Sequence, residues 1–269
     1  MRQSQFLPFY TADVRVGWLR SDFIEQLQEY PDVFIFDEDA VHLHHDLDEF
    51  EARTQAISAV VEDLHNRGLI GPLLGEIYPV TASHMARPEF LIDRTVASYF
   101  GTRTFGQHLN GYVGQGDSMK MWIGRRAPHR GYEPGKLDQL VAGGFPYGVS
   151  AMDNLRKECQ EEAGMPVGLA NQAIATGAIT CCYENQRGVK PETLYCYDLQ
   201  LPVDFQPVCT DGEVEAFLLM PIEEIAELVR DTDEFKLNCN LVIIDFLVRH
   251  GYLTAEDEDY DLLVKGLHQ

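Results

Sequence analysis

The sequence predicts an α+β N-terminal domain followed by an α/β/α layered domain, and three observations predict it. The chain has 269 residues, enough for two ordinary domains. Its first third mixes short apolar runs with one strongly amphipathic helical stretch. Beyond that, strand-like runs are flanked by helical ones on both sides, as in a sheet covered on two faces.

Taken in order, the stretches 14–19 and 33–36 are short and apolar. A helix over 49–67 follows, where Asp48 and Glu51 have capping-box spacing and Phe50, Thr54, Ile57, Val61 and Leu64 form an apolar face before Gly68. Around 94–104 a short helical pattern gives way to Gly101 and then to strands over 109–113 and 119–123. That change places a boundary near residue 102 and gives domains 1–101 and 102–269. Gly114-Gln115-Gly116 reads as a hairpin turn, because it lacks the third glycine and the strand-to-helix setting of a dinucleotide fingerprint. Pro134-Gly135-Lys136-Leu137-Asp138 leads to the Gly143-Gly144 turn and then to a helix. Ser150 and Asp153 have capping-box spacing, Ala151, Leu155, Cys159 and Ala163 form its apolar stripe, and Gly164 ends it. Strands over 173–182, 193–201 and 213–219 precede helices over 222–230 and 238–250, the last closed by Gly251.

Composition narrows the function classes. With 45% hydrophobic and 24% charged residues the chain is globular. No apolar run approaches the roughly 20 residues that span a bilayer. A formal charge of −22 disfavours nucleic acid and anionic membranes as partners. A phosphorylated small molecule would need local basic groups or a bridging metal. The opening eight residues lack the charged start and apolar stretch of a secretory signal, so a cytoplasmic, reducing location is expected. The six cysteines (159, 181, 182, 196, 209, 239) form no C-x-x-C pair and lie in apolar stretches, which predicts buried free thiols. The acidic run 256–259 reads as a solubilising segment, and a homodimer is left open.

Chemistry concentrates on the helix before Gly164. Glu158, Glu161 and Glu162 stand at i, i+3 and i+4 and share one face, where like charges repel by roughly a few tenths of a kcal/mol per pair. That arrangement calls for a cation, with Mg²⁺ the natural candidate and Mn²⁺ the alternative. Elsewhere, Arg125 and Arg126 at a strand end could grip a diphosphate. His42, His44 and His45 with Asp46 fit either a metal cluster or, by their alternation, a half-exposed strand, and the strand is the reading preferred. Trp18, Tyr78, Tyr112 and Trp122 could face a cationic ring or fill the core, and the core is preferred.

Lys157-Glu158-Cys159-Gln160-Glu161-Glu162-Ala163-Gly164-Met165 resembles the second half of the Nudix box, with Lys in place of Arg. The first half departs from the pattern. The loop from Gly144 is one residue short, and Val149 or Ser150 stands where a first Glu is expected. The segments 16–20, 76–80, 108–112, 134–138, 143–150 and 211–215 are similar to one branch, in which a DUF4743-like domain of uncharacterised role precedes the Nudix domain. In some fungi that pair is fused to thiamin pyrophosphokinase. The resemblance implies an α/β/α Nudix sandwich with a mixed sheet, and hydrolysis of a small-molecule diphosphate, of the thiamin diphosphate type or its oxidised analogues, to the monophosphate. It further implies metal binding by Glu158, Glu161 and Glu162, a general base at Glu213 or else Glu161, and a cleft lined by Lys136, His108, Gly143 and Gly144. Three rivals stay open: a Nudix-fold sensor that binds without cleaving, an isomerase of prenyl diphosphates, and an N-terminal unit that serves as a protein-interaction module. The second lacks a cysteine in the expected setting near His108.

Overall fold

A computed structural model describes residues 5–268; residues 1–4 of the opening segment read above lie outside the described residues. Two compact units result. One takes in the chain up to Phe105 with Pro146–Gly148 and Cys182–Glu192, and the other holds Gly106–Phe145, Val149–Cys181 and everything from Thr193 onward.

In the first unit β1 (Phe6–Thr11), β2 (Val14–Arg20), α1 (Ser21–Leu27), β3 (Phe34–Phe36), β4 (Val41–Leu43), α2 (Phe50–Asn66), β5 (Ile77–Val80) and β6 (Phe90–Asp93) follow in order. Four strands form a mixed sheet in the order β2-β1-β4-β3, parallel only between β1 and β4, while β5 and β6 pair antiparallel. The buried face of α2, Ile57, Val60, Val61 and Leu64, shares a core with Phe9, Leu19, Phe34, Phe90 and Phe100. Gly17 lets β2 approach closely, since a Cβ there would meet the Phe100 carbonyl oxygen at 2.2 Å. The expected capping box does not form. Glu49 is the N-cap and makes no side-chain cap bond, which puts Asp48 one residue too early, and the Asp48 carbonyl accepts instead from Arg53 Nη1 at 3.1 Å.

Apart from the start of β7, the end of β11 and the start of β12, which fall in the first unit, the second unit carries β7 (Thr104–Val113), β8 (Lys120–Arg126), β9 (Leu137–Gln139), β10 (Val141–Gly144), α3 (Ala151–Ala163), α4 (Val167–Ala170), β11 (Ile174–Asn185), β12 (Gly188–Gln200), β13 (Val214–Pro221), α5 (Ile222–Asp231), α6 (Leu237–Arg249) and α7 (Tyr260–Gly266). Its sheet runs β11-β12-β7-β8-β13, with β10 paired to β7 and β9 to β8. Alternation along the strands makes the layers. Leu109, Val113, Trp122, Tyr197 and Leu199 pack with Leu155, Cys159 and Ala163 of α3. The neighbours Met121 and Ile123 pack instead with Ile222 and Ile225 of α5 and with Cys239, Ile243 and Phe246 of α6. α3 with the short α4 on one face and α5 and α6 on the other make the α/β/α arrangement that the sequence predicts.

Two expectations change. The β11–β12 hairpin runs beyond the apolar stretches because Asn185 Oδ1 accepts from the backbone N–H groups of Arg187 and Gly188, which closes a tight polar turn at its tip. All six thiols are free, but Cys159, Cys196 and Cys239 alone are buried, Cys181 and Cys209 are half-buried, and Cys182 is exposed. Cys181 and Cys182 lie on β11, the last strand in the sheet order, where part of the surface has no covering layer.

Candidate active site

α3 begins at Ser150, whose Oγ accepts from the Asp153 backbone N–H at 3.2 Å and donates to Asp153 Oδ2 at 2.6 Å. It ends at Gly164, left-handed at φ 60°. Side chains fix its position. Asn154 Nδ2 donates to the Gly144 carbonyl at 2.8 Å and to Gln107 Oε1 at 2.7 Å, and Gln107 Nε2 donates to the Ala151 carbonyl at 2.8 Å. This anchor from β7 and β10 has no mark in the sequence beyond polar residues inside apolar runs.

The three glutamates have different surroundings. Glu162 is buried and accepts from the Ala142 N–H at 2.8 Å; burial pushes its carboxyl up to about 8, and nearby Asp138, Glu158 and Glu213 add to the rise. Glu158 is largely buried and also raised, chiefly by burial, against the pull of Lys157. Glu161 is half-exposed. Lys157 Nζ lies 3.2 Å from Glu158 Oε1 and 2.7 Å from Glu161 Oε2; burial would lower this ammonium, but the two carboxylates outweigh it and hold it above its ordinary range. Gly143 explains how Glu158 fits, because a Cβ there would meet the Glu158 carboxyl carbon at 2.4 Å. Gly143 and Gly144, expected against substrate, thus seat the helix: one makes room for Glu158, the other accepts from Asn154.

Glu213 reaches this face through the loop before β13. Val208 N–H donates to the Ala163 carbonyl and Thr210 N–H to that of Glu161, so the loop closes the end of α3. Asp211 Oδ1 accepts from the Glu213 N–H at 2.9 Å, with Gly212 at φ 82° between them. The Glu213 carboxylate is ion-paired to Arg130, a partner not foreseen from sequence. A recess of about 10 Å³ is lined by Glu162, Glu213, Arg126, Asp138, Gln139, Gly124 and Val214.

The basic residues separate. Arg125 and Arg126 are consecutive on β8, so they point to opposite faces and do not grip one diphosphate together. Buried Arg126 donates from Nη1 to Asp138 Oδ2 at 2.8 Å, from Nη2 to the Tyr132 carbonyl and from Nε to the Glu133 carbonyl. Arg125 donates to the Gly135 carbonyl at 2.9 Å, and Lys136 to that of Asp233; neither lines the recess. Of the four aromatic candidates, Tyr78 and Trp122 lie in the cores, Arg15 sits over Trp18 at 4.7 Å, and Tyr112 packs edge-on to Phe246.

Asp138 has a role that spacing did not reveal. It accepts from Arg126, from Lys236 Nζ at 3.0 Å, from Cys239 Sγ at 2.8 Å and from the Gln139 N–H. Burial would raise its carboxyl, but Lys236, His108 and Arg126 hold it well below the ordinary range. His108 is buried, its Nδ1 2.7 Å from Gln139 Oε1. The fold therefore brings Cys239 to His108 across the sequence, within a group of donor atoms that includes Asp138. Burial pushes the Cys239 thiol well up, so it is not a reactive thiolate, and Arg126 and Lys236 already supply the positive charge a metal would bring there.

Residues 1–104 match a family described as "Domain of unknown function (DUF4743)". Over 265 residues the chain is 42% identical to Nudix hydrolase 20, chloroplastic, of Arabidopsis thaliana, covering 95% of this chain and 71% of that protein. It is equally identical over 258 residues to Nudix hydrolase 24, chloroplastic, of the same plant, again at 95% and 71% coverage. An uncharacterised Saccharomyces cerevisiae protein, YJR142W, is 33% identical, with 89% and 75% covered. Among solved structures, a C. elegans Ap4A hydrolase complex aligns with 56% of this chain and 99% of its own at TM-score 0.40 and 14% identity. On the identity and coverage of its plant relatives, the chain belongs to the Nudix hydrolase family, enzymes that act on diphosphate-linked substrates.

Proposed function

We propose that the chain is a Mg²⁺-dependent pyrophosphohydrolase, with Mn²⁺ as the alternative ion, converting a thiamin diphosphate-type substrate to the monophosphate and orthophosphate. The observation that carries this reading is the α3 face, where Glu158 and Glu162 are raised by burial while Glu161 stands half-exposed beside them. A buried carboxyl pushed to about 8 with the Ala142 N–H as its donor is a ligand set short of positive charge. Hard oxygen donors on one helix face suit Mg²⁺, which keeps waters and substrate oxygens in its remaining positions. Bound there, the ion would neutralise phosphate charge and acidify a water.

The remaining work falls to side chains. Glu213, tethered by Arg130 and by the Asp211 turn, lines the recess, where a base for the attacking water is needed. Glu161, more exposed, is the second candidate. Water adds to phosphorus as the bridging P–O bond breaks, the monophosphate leaves, and the base takes the water's proton. Arg126, bound to Asp138, walls the recess rather than holding substrate. The heterocycle rests on the similarity of segments throughout the chain to the thiamin-linked branch.

Purified protein with Mg²⁺, tested on a panel of thiamin diphosphates, nucleotides and nucleotide sugars, is expected to release phosphate, most readily from the first group. Glu161→Gln and Glu162→Gln should each remove that activity. Absence of release from every compound, or full activity in both variants, would sink the proposal.

A further inference from the structure

We propose a second metal site, for a Zn²⁺-class transition ion, at His44, His45 and Asp46 in the first unit. β4 stops at Leu43, and the chain then turns with His44 N–H on the Val33 carbonyl at 2.8 Å and Leu47 N–H on the His44 carbonyl at 3.0 Å. In a continuing strand His44 and His45 would point to opposite faces. The turn brings them together instead: their rings stack at 4.3 Å and 26°. The Asp46 carboxylate lies 3.6 Å from His44 Nδ1, which also accepts from the Asp46 backbone N–H at 3.3 Å, and 3.4 Å from His45 Nε2; one donor atom from each residue lies within 4.8 Å of the others.

The cluster also borders open space. A cavity of about 460 Å³ opens beside it, lined by both histidines together with Asp13, Asp37, His42 and Asp48. Arg53 also lines it, but its guanidinium is engaged by the Glu89 carbonyl and carboxylate and by the Asp48 carbonyl. Ala12, on the same wall, has φ 47° because it sits in the two-residue turn between β1 and β2, where Thr11 pairs with Val14. Two imidazoles and a carboxylate favour Zn²⁺ over Mg²⁺, so the site differs in selectivity from the α3 face. His44 and His45 line the cavity, and three protein ligands leave a position open there for water or a small anionic ligand.

The test uses the full chain stripped of metal and titrated with Zn²⁺ in competition with a chromophoric chelator. The expected result is one equivalent bound at micromolar affinity or tighter, retained in Glu161→Gln/Glu162→Gln and weakened at least about 100-fold in His44→Ala/His45→Ala. Phosphate release with Mg²⁺ should be unchanged in the histidine variant, which separates this site from the proposed hydrolase. His45 is exposed, so His45→Ala alone carries the comparison if the double variant does not fold. Failure of the unaltered chain to bind Zn²⁺, or equal affinity in the histidine variants, would overturn the proposal.

Discussion

Burial pushes the Glu162 carboxyl up to about 8 in the folded chain, above the ordinary glutamate value of 4.5. Between those values the folded state binds more protons, so the stability of metal-free protein falls as pH rises through that window. Thermal melts of metal-free protein should drop from pH 5 to pH 8, and Glu162→Gln should flatten the slope; an unchanged slope would remove Glu162 as its source. The sequence made Glu158, Glu161 and Glu162 legible because helical spacing alone puts them on one face. It concealed Arg130 beside Glu213 and Cys239 beside His108, since those partners are joined by the fold and not by any local period. His44 and His45 misled for a related reason: alternation implied a strand that in fact ends one residue earlier.

α3 was the element best marked in advance, with a serine cap, an apolar stripe and a glycine stop all in register. Ser150→Ala should cost about 1 kcal/mol in urea unfolding, the usual worth of such a cap, whereas no loss would mean that the Asp153 side chain caps alone. Gly143→Ala tests the seating of the helix. An added methyl would collide with the flexible end of Glu158, so the fold should survive while Mg²⁺ affinity falls by about tenfold or more. Equal Mg²⁺ requirement in the variant would show that Glu158 has room to move. The Asp48–Glu51 pair had the same spacing as Ser150 and Asp153 yet makes no cap, because α2 starts one residue further on. Spacing gives the option of a cap; packing decides whether it is used.

Across the second unit, Asp138 joins β8 through Arg126 and α6 through Lys236 and Cys239. Asp138→Ala would leave two buried cations without their carboxylate and should cost about 3–5 kcal/mol by denaturant titration. Since its folded carboxyl lies below the unfolded value, its contribution is present above the ordinary carboxylate range and is lost below it, as pH falls through the lower folded value. The layered architecture was legible from element order and the family from the Glu158–Gly164 motif, which the plant relatives bear out. The first unit was legible as α+β, but its acidic cavity required the turn after β4 to be seen. On the proposed function, the α3 glutamates form the metal-dependent hydrolytic site. Its most direct test is the rate of phosphate release from a thiamin diphosphate as Mg²⁺ is titrated, in the unaltered chain and in Glu158→Gln, Glu161→Gln and Glu162→Gln. Saturable Mg²⁺ dependence that weakens or vanishes in each variant is the predicted result; release independent of Mg²⁺, or indifferent to all three substitutions, would contradict it.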